Sequence, residues 1–145
     1  MRVRGRRSFM TLAASWELQK AVHGGLVGDA TLSSLVGGRV FDRPPQDAAF
    51  PFVTLGDTEV EPDGAESEGA AIHRLALSVW SRARGRRETK EIMSAINEAL
   101  QDASLPMTGH VLVNLQLERA SVSYAAKPEA LRGRLVFRAY TEPTT

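Results

Sequence analysis

At 145 residues and 15.8 kDa, with 43% apolar and 24% charged residues, the chain has the composition of one globular domain, and a disordered or fibrous chain is excluded. No apolar run approaches the roughly 20 residues of a membrane-spanning helix, the basic start lacks the apolar segment of a secretory signal, and with no cysteine there is no disulfide framework, thiol nucleophile or cysteine zinc site. The net charge of +1 hides an asymmetry: Arg2, Arg4, Arg6 and Arg7 precede the first acid, Glu17, and setting those four of the 18 basic residues aside leaves 14 against 17 acids in residues 10–145.

The charge pattern predicts a basic arm, residues 1–9, on a mildly acidic single domain, residues 10–145, without membrane contact; a uniformly basic nucleic-acid binder looks different. Arginine outnumbers lysine 15 to 3, a bias that forked phosphate recognition and GC-rich coding both produce. From Met10 to Val22, Ala14, Leu18, Ala21 and Val22 share a helical stripe, with Gly24-Gly25 as the expected stop. Asp29 is an expected N-cap for a short second helix through Leu32, Leu35 and Val36, ending at Gly37-Gly38. The proline-rich stretch RVFDRPPQDAAFP then reads as an extended connector with a short edge strand at most.

After Pro51, FVTLGDTEV reads as a strand, with Val53 and Leu55 on one face and Gly56 marking a bulge, and EPDGAESEGA reads as a polar loop. The next strand runs through Leu75, Leu77 and Val79, with Arg74, Ser78 and Trp80 on the opposite face. Beyond Gly85 the period changes, and Ile92, Ile96, Ala99 and Leu100 recur at helical spacing before Pro106. In VLVNLQLE, Val111, Val113, Leu115 and Leu117 alternate with Asn114, Gln116 and Glu118; after a turn region around KPEALRG, Leu135, Phe137 and Ala139 alternate with Arg134, Arg138 and Tyr140. The expected fold is α+β: an antiparallel sheet of about four strands in two hairpins, with helices packed on one face.

No GxSxG elbow sets a serine beside a base, the three histidines match no metal spacing, and GGLVG and LVGG lack the lysine of a phosphate loop. Neither a catalytic residue, a cofactor nor a metal is expected. Between residues 57 and 68 stand six acids, Asp57, Glu59, Glu61, Asp63, Glu66 and Glu68, with no base among them and without the DxDxDG alternation of calcium ligands. Such a segment is a solvated loop, or it faces a channel or a partner, where it would keep passing DNA from sticking. Its counterpart is SRARGRRETK, where Arg82, Arg84, Arg86 and Arg87 bracket a helix N-terminus, a place cations avoid unless an anion lies nearby.

Three motifs in order, LVGGRVFDRPPQDAAFPFVTLGD, LALSVWSRARGRRETKEI and LRGRLVFRAY, resemble the family of small phage proteins of the tail-completion or tail-terminator type, found in siphophage-like and gene-transfer-agent gene clusters. The resemblance covers roughly residues 11–142, and MRVRGRRSF precedes where such proteins usually begin. It implies a virion protein with a lambda tail-terminator-like fold, a hexameric ring at the head-proximal end of the tail tube. Such a ring ends tube polymerisation, meets the tail tube and head-completion (stopper) proteins, and lets DNA pass without sequence-specific binding. Arg82, Arg84, Arg86, Arg87, Trp80, Arg134 and Arg138 are then candidates for subunit or partner contact, the six acids for a channel-facing or partner-facing loop, and Arg2, Arg4, Arg6 and Arg7 for arm contacts. The competing expectation is a small nucleic-acid-binding module that uses the arginine arm.

Overall fold

A computed structural model describes residues 2–63 and 68–144, with side chains from residue 11 onward. The elements run α1 (Arg2–Val27), α2 (Ala30–Val36), β1 (Val40–Phe41), β2 (Phe52–Pro62), β3 (Ala71–Ser81), α3 (Arg87–Leu100), β4 (His110–Ala126) and β5 (Glu129–Pro143). The five strands form one sheet in the order β1-β2-β3-β5-β4. The hairpins β2–β3 and β4–β5 meet along β3 and β5, all antiparallel; among the described residues only the two-residue β1, beside Val53 and Thr54, is parallel.

The first helix departs from expectation at both ends. It begins at Arg2, so the backbone of the arm is helical, although the side chains of Arg2, Arg4, Arg6 and Arg7 lie outside the described residues. It also passes through Gly24-Gly25, because Leu26 is fully buried and holds the last turn in the core. Gly25 serves a close approach: a Cβ there would stand 2.9 Å from Cδ2 of Leu105 in the segment after α3. The break comes at Asp29, whose carboxylate accepts from the Leu32 amide at 2.9 Å and caps α2. Gly37 ends α2 in the left-handed conformation, φ 59°.

Three helical stripes, Leu18, Val22 and Leu26 of α1, Leu32 and Val36 of α2, and Ile92, Ile96 and Leu100 of α3, converge on one sheet face. That face presents Val53, Leu75, Leu77, Val79, Leu115, Leu135 and Phe137, all buried. α3 lies tightly against the sheet at Gly133, where an added Cβ would meet Met93 Sδ at 2.5 Å and Thr89 Cγ2 at 2.8 Å.

Two strands are longer than the sequence periods implied. β2 continues two residues past Val60, through Glu61 to Pro62, so half of the acidic stretch is strand, with a register shift between Leu55 and Thr58 beside Gly56. The β4–β5 hairpin closes tightly at Lys127-Pro128, which places Glu129–Gly133 in β5 where a broad turn was expected. The alternation of β4 also changes phase. A bulge between Leu112 and Asn114 turns Val113 out to 49% exposure and leaves Val111 at 51%, while Leu115 stays fully buried. Val111 and Val113 therefore do not share the core face of Leu115.

His73, on the core face of β3, is 2% exposed, with its Nε2 2.9 Å from Thr141 Oγ1. Burial, and secondarily His110, push its pKa from 6.5 down to about 4. Between those values the unfolded chain binds a proton that the folded chain refuses. Stability is therefore complete above pH 6.5 and falls as the pH drops toward 4, by roughly 3 kcal/mol at about 1.4 kcal/mol per pH unit. Denaturant unfolding of His73→Gln at pH 7 and pH 4.5 should show a smaller acid loss than the parent; equal losses would assign the acid sensitivity to other groups.

Candidate interaction surface

Because side chains alternate along each strand, the sheet face turned away from the helices carries the other half of every strand. Register places the side chains of that face in rows: Phe52, Trp80, Arg132 and Ser123; then Thr54, Ser78, Arg134 and Ser121; then Glu59, Arg74, Arg138 and Gln116. Glu61, Ile72, Tyr140 and Asn114 complete it. Acids thus stand on the β2 flank and arginines along β5, with Arg119 of β4 opposite Val136.

Arg74 is the paired arginine of this face. Its Nε donates to Glu118 Oε1 at 3.1 Å and Oε2 at 3.4 Å. The Glu118 hydrogen bond, and behind it the field of Glu61 and Glu59, hold the guanidinium pKa above its ordinary value. Among the described residues, Arg119, Arg134 and Arg138 make no hydrogen bond or ion pair, and neither do Glu59 and Glu61. Arg74 and Glu118, placed by the sequence on polar strand faces, were not among the candidate contacts, and neither were Arg119 and Arg132. The alternation of Arg119, Ser121 and Ser123 with Ala120, Val122 and Tyr124 was the available signal for continuing β4 across this face.

One end of the face is closed by aromatic groups. Phe52 packs at 4.9 Å from Phe50, 5.9 Å from Phe41 and 6.4 Å from Trp80, centroid to centroid. Trp80 Nε1 donates to Thr54 Oγ1 at 3.0 Å, and Arg132 stands 5.3 Å from the Trp80 ring while its Nε donates to Ser78 Oγ at 3.1 Å. Arg82 belongs to the same cluster: its Cζ lies 4.0 Å from the Phe50 centroid and its Nε donates to the Glu129 carbonyl at 3.1 Å. These aromatics form a small second core at the sheet's end, and Phe52 is only 5% exposed.

Beyond that cluster the strand-to-helix junction faces outward. Arg84 and Arg86 are exposed and, among the described residues, unpartnered; Arg87 reaches Glu91 at 3.3 Å along the helix surface. Arg86 occupies the N-cap of α3 without a side-chain cap bond, and the acid of the first turn is Glu88, which accepts from Ser81 Oγ at 2.7 Å. The acidic tip lies at the other end of β3. Asp57 lies short of that tip, exposed in the β2 bulge beside Leu75 and Leu77 at mid-β3; at the tip Asp63 is half-buried and its amide donates to the Ala70 carbonyl at 2.8 Å, Glu68 is exposed, and Glu66 lies outside the described residues. The 11 residues of β3 hold the acidic and cationic ends roughly 33 Å apart at about 3.3 Å per residue, so they cannot pair within one chain.

Among the described residues no three His, Asp or Glu side chains converge as a metal site, and no helix is long and apolar enough to cross a membrane. The family described as tail completion protein gp17 matches residues 20–142. Of solved structures, a chain in the virion of a native gene transfer agent particle is 35% identical, with 88% of this chain and 96% of that chain covered and a TM-score of 0.82. Bacteriophage SPP1 gp17 protein is 27% identical over 87% of this chain and 89% of its own, with a TM-score of 0.60. No curated protein sequence matches.

Proposed function

The chain belongs to the tail completion protein gp17 family, structural components of phage and gene-transfer-agent particles, and from that premise we propose that it forms a hexameric ring at the head-proximal end of the tail tube. The ring ends tube polymerisation and joins the tail to the head-completion protein, and DNA passes through it without sequence-specific contact. Its site of action is the tail-neck junction of a virion or phage-like particle.

The observation that carries this reading is the polarity of the subunit. Ring closure requires heterologous contacts, in which two different surfaces of each copy meet. The acidic β2–β3 tip and the Arg84-Arg86 end are opposite in charge and separated by the length of β3, so these two ends meet each other only between molecules. Arg84 and Arg86, without a partner among the described residues, are cations that a neighbouring subunit or the tube and stopper proteins would meet. Removal of this protein from particle-producing cells tests the assignment. The expected result is tails of uncontrolled length and heads without tails, restored by supplying the chain in trans; joined particles with tails of normal length would refute it.

A further inference from the structure

We propose that the sheet face opposite the helices is the seat on which a neighbouring copy lays the acidic half of its β2, Glu59 and Glu61 pairing with Arg134, Arg138 and Arg119 of the next subunit. The inference rests on the ring reading and names the surfaces that close it.

Three features of the face support it. First, Arg119, Arg134 and Arg138 make no hydrogen bond or ion pair among the described residues, whereas Arg74 on the same face is taken by Glu118. By register the half-buried Arg134 stands between Ser78, whose Oγ accepts from Arg132, and Ser121, and its own guanidinium has no ion-pair partner among the described residues. Second, the floor is already dry: Ala76, Ser78 and Val136 are only 6%, 2% and 7% exposed, so a charged strand laid across it would meet guanidinium groups in a partly desolvated setting, where charge-assisted bonds are strongest.

Third, β1 pairs only with Val53 and Thr54, so the remainder of β2, with Asp57, Glu59 and Glu61, is an open sheet edge. An edge strand lined with acids resists indiscriminate strand addition and accepts a surface of opposite charge. A second copy of this chain supplies carboxylates at a strand edge, with the required charge and shape.

The test is a charge swap between subunits in particle-producing cells that lack the resident copy. Glu59→Arg/Glu61→Arg and Arg134→Glu/Arg138→Glu, each expressed alone, should enter purified particles at least about tenfold less than the parent, since apposed like charges cost more than the roughly 1.4 kcal/mol of a tenfold change. Co-expressed, they should recover incorporation, because a six-membered ring that alternates the two variants restores opposite charges at every junction. Incorporation of either variant alone at the parental level would overturn the inference, as would two folded variants that fail to rescue each other. So would an Arg134→Glu/Arg138→Glu particle that assembles normally and fails only in DNA delivery. Should the reversed chains not fold, Arg134→Gln/Arg138→Gln removes the charges without adding acids and should still lower incorporation; parental incorporation of that variant overturns the inference equally. A parental protein present at the neck in other than six copies would instead defeat the ring reading and leave the outcome of the swap separately legible.

Discussion

Leu115→Ala is expected to destabilise the fold by about 2–5 kcal/mol, while Val113→Ala, two residues away on the same strand, should change stability by less than about 0.5 kcal/mol. Leu115 is fully buried, opposite Ala139 in the face that packs under α3, and its truncation leaves a cavity that the surrounding side chains cannot fill. Val113 occupies the bulge of β4 and is 49% exposed, so removing its methyl groups takes little out of the core. Urea unfolding of the two variants beside the parent measures both numbers. Similar losses at the two sites would mean that β4 keeps one uninterrupted alternation and that the bulge is misplaced.

The second large effect is on assembly and leaves folding intact. Arg84→Glu/Arg86→Glu should reduce particle yield at least about tenfold, as expected when interfacial charges are reversed, with an unchanged or slightly higher melting temperature. Arg86 stands at the N-cap of α3, where it makes no cap bond and opposes the helix dipole; an acid there is favoured by the dipole and joins Glu88 in the first turn. The substitution therefore separates contact from stability: if these arginines served the fold, the melting temperature would fall, and if they were merely solvated, particle yield would hold. The loss should also be mimicked in the parent by raised salt, because exposed charge pairs are screened within about 10 Å at 0.1 M ionic strength.

Much of this architecture could be read from periodicity. The helix at Ile92–Leu100, the Asp29 cap, the bulge at Gly56 and the core face of Leu75, Leu77, Leu135 and Phe137 follow from spacing and turn chemistry, and all are present. What the sequence hid has a common cause, which is that tertiary packing overrides a local signal. Gly24-Gly25 looks like a helix stop, yet Leu26 is held in the core and Gly25 makes room for Leu105. Val111-Leu112-Val113 looks like clean alternation, yet one inserted residue reverses it.

The candidate surface was only half legible for the same reason. Arg134 and Arg138 were visible as the polar side of a strand, but their neighbours Arg74, Arg119 and Glu118 come from strands whose order in the sheet, β3-β5-β4, no local pattern reveals. The acidic residues, read as belonging to a strand end and its loop, prove in the case of Glu59 and Glu61 to stand in strand register on the same face as those arginines. The exposed cations at Arg84 and Arg86 were apparent from sequence, whereas the attachment of Arg82 to Phe50 required the aromatic end of the sheet to be assembled first.

Electron cryo-microscopy of purified particles, reconstructed at the neck, tests for a ring of six copies at the junction of tail and head. The expected density is a single layer of six subunits of 15.8 kDa around the DNA channel, seated on the last ring of the tail tube and touching the head-completion protein on its other side. A different copy number in that layer, or density for this chain at the tail tip or within the head with none at the neck, would contradict it.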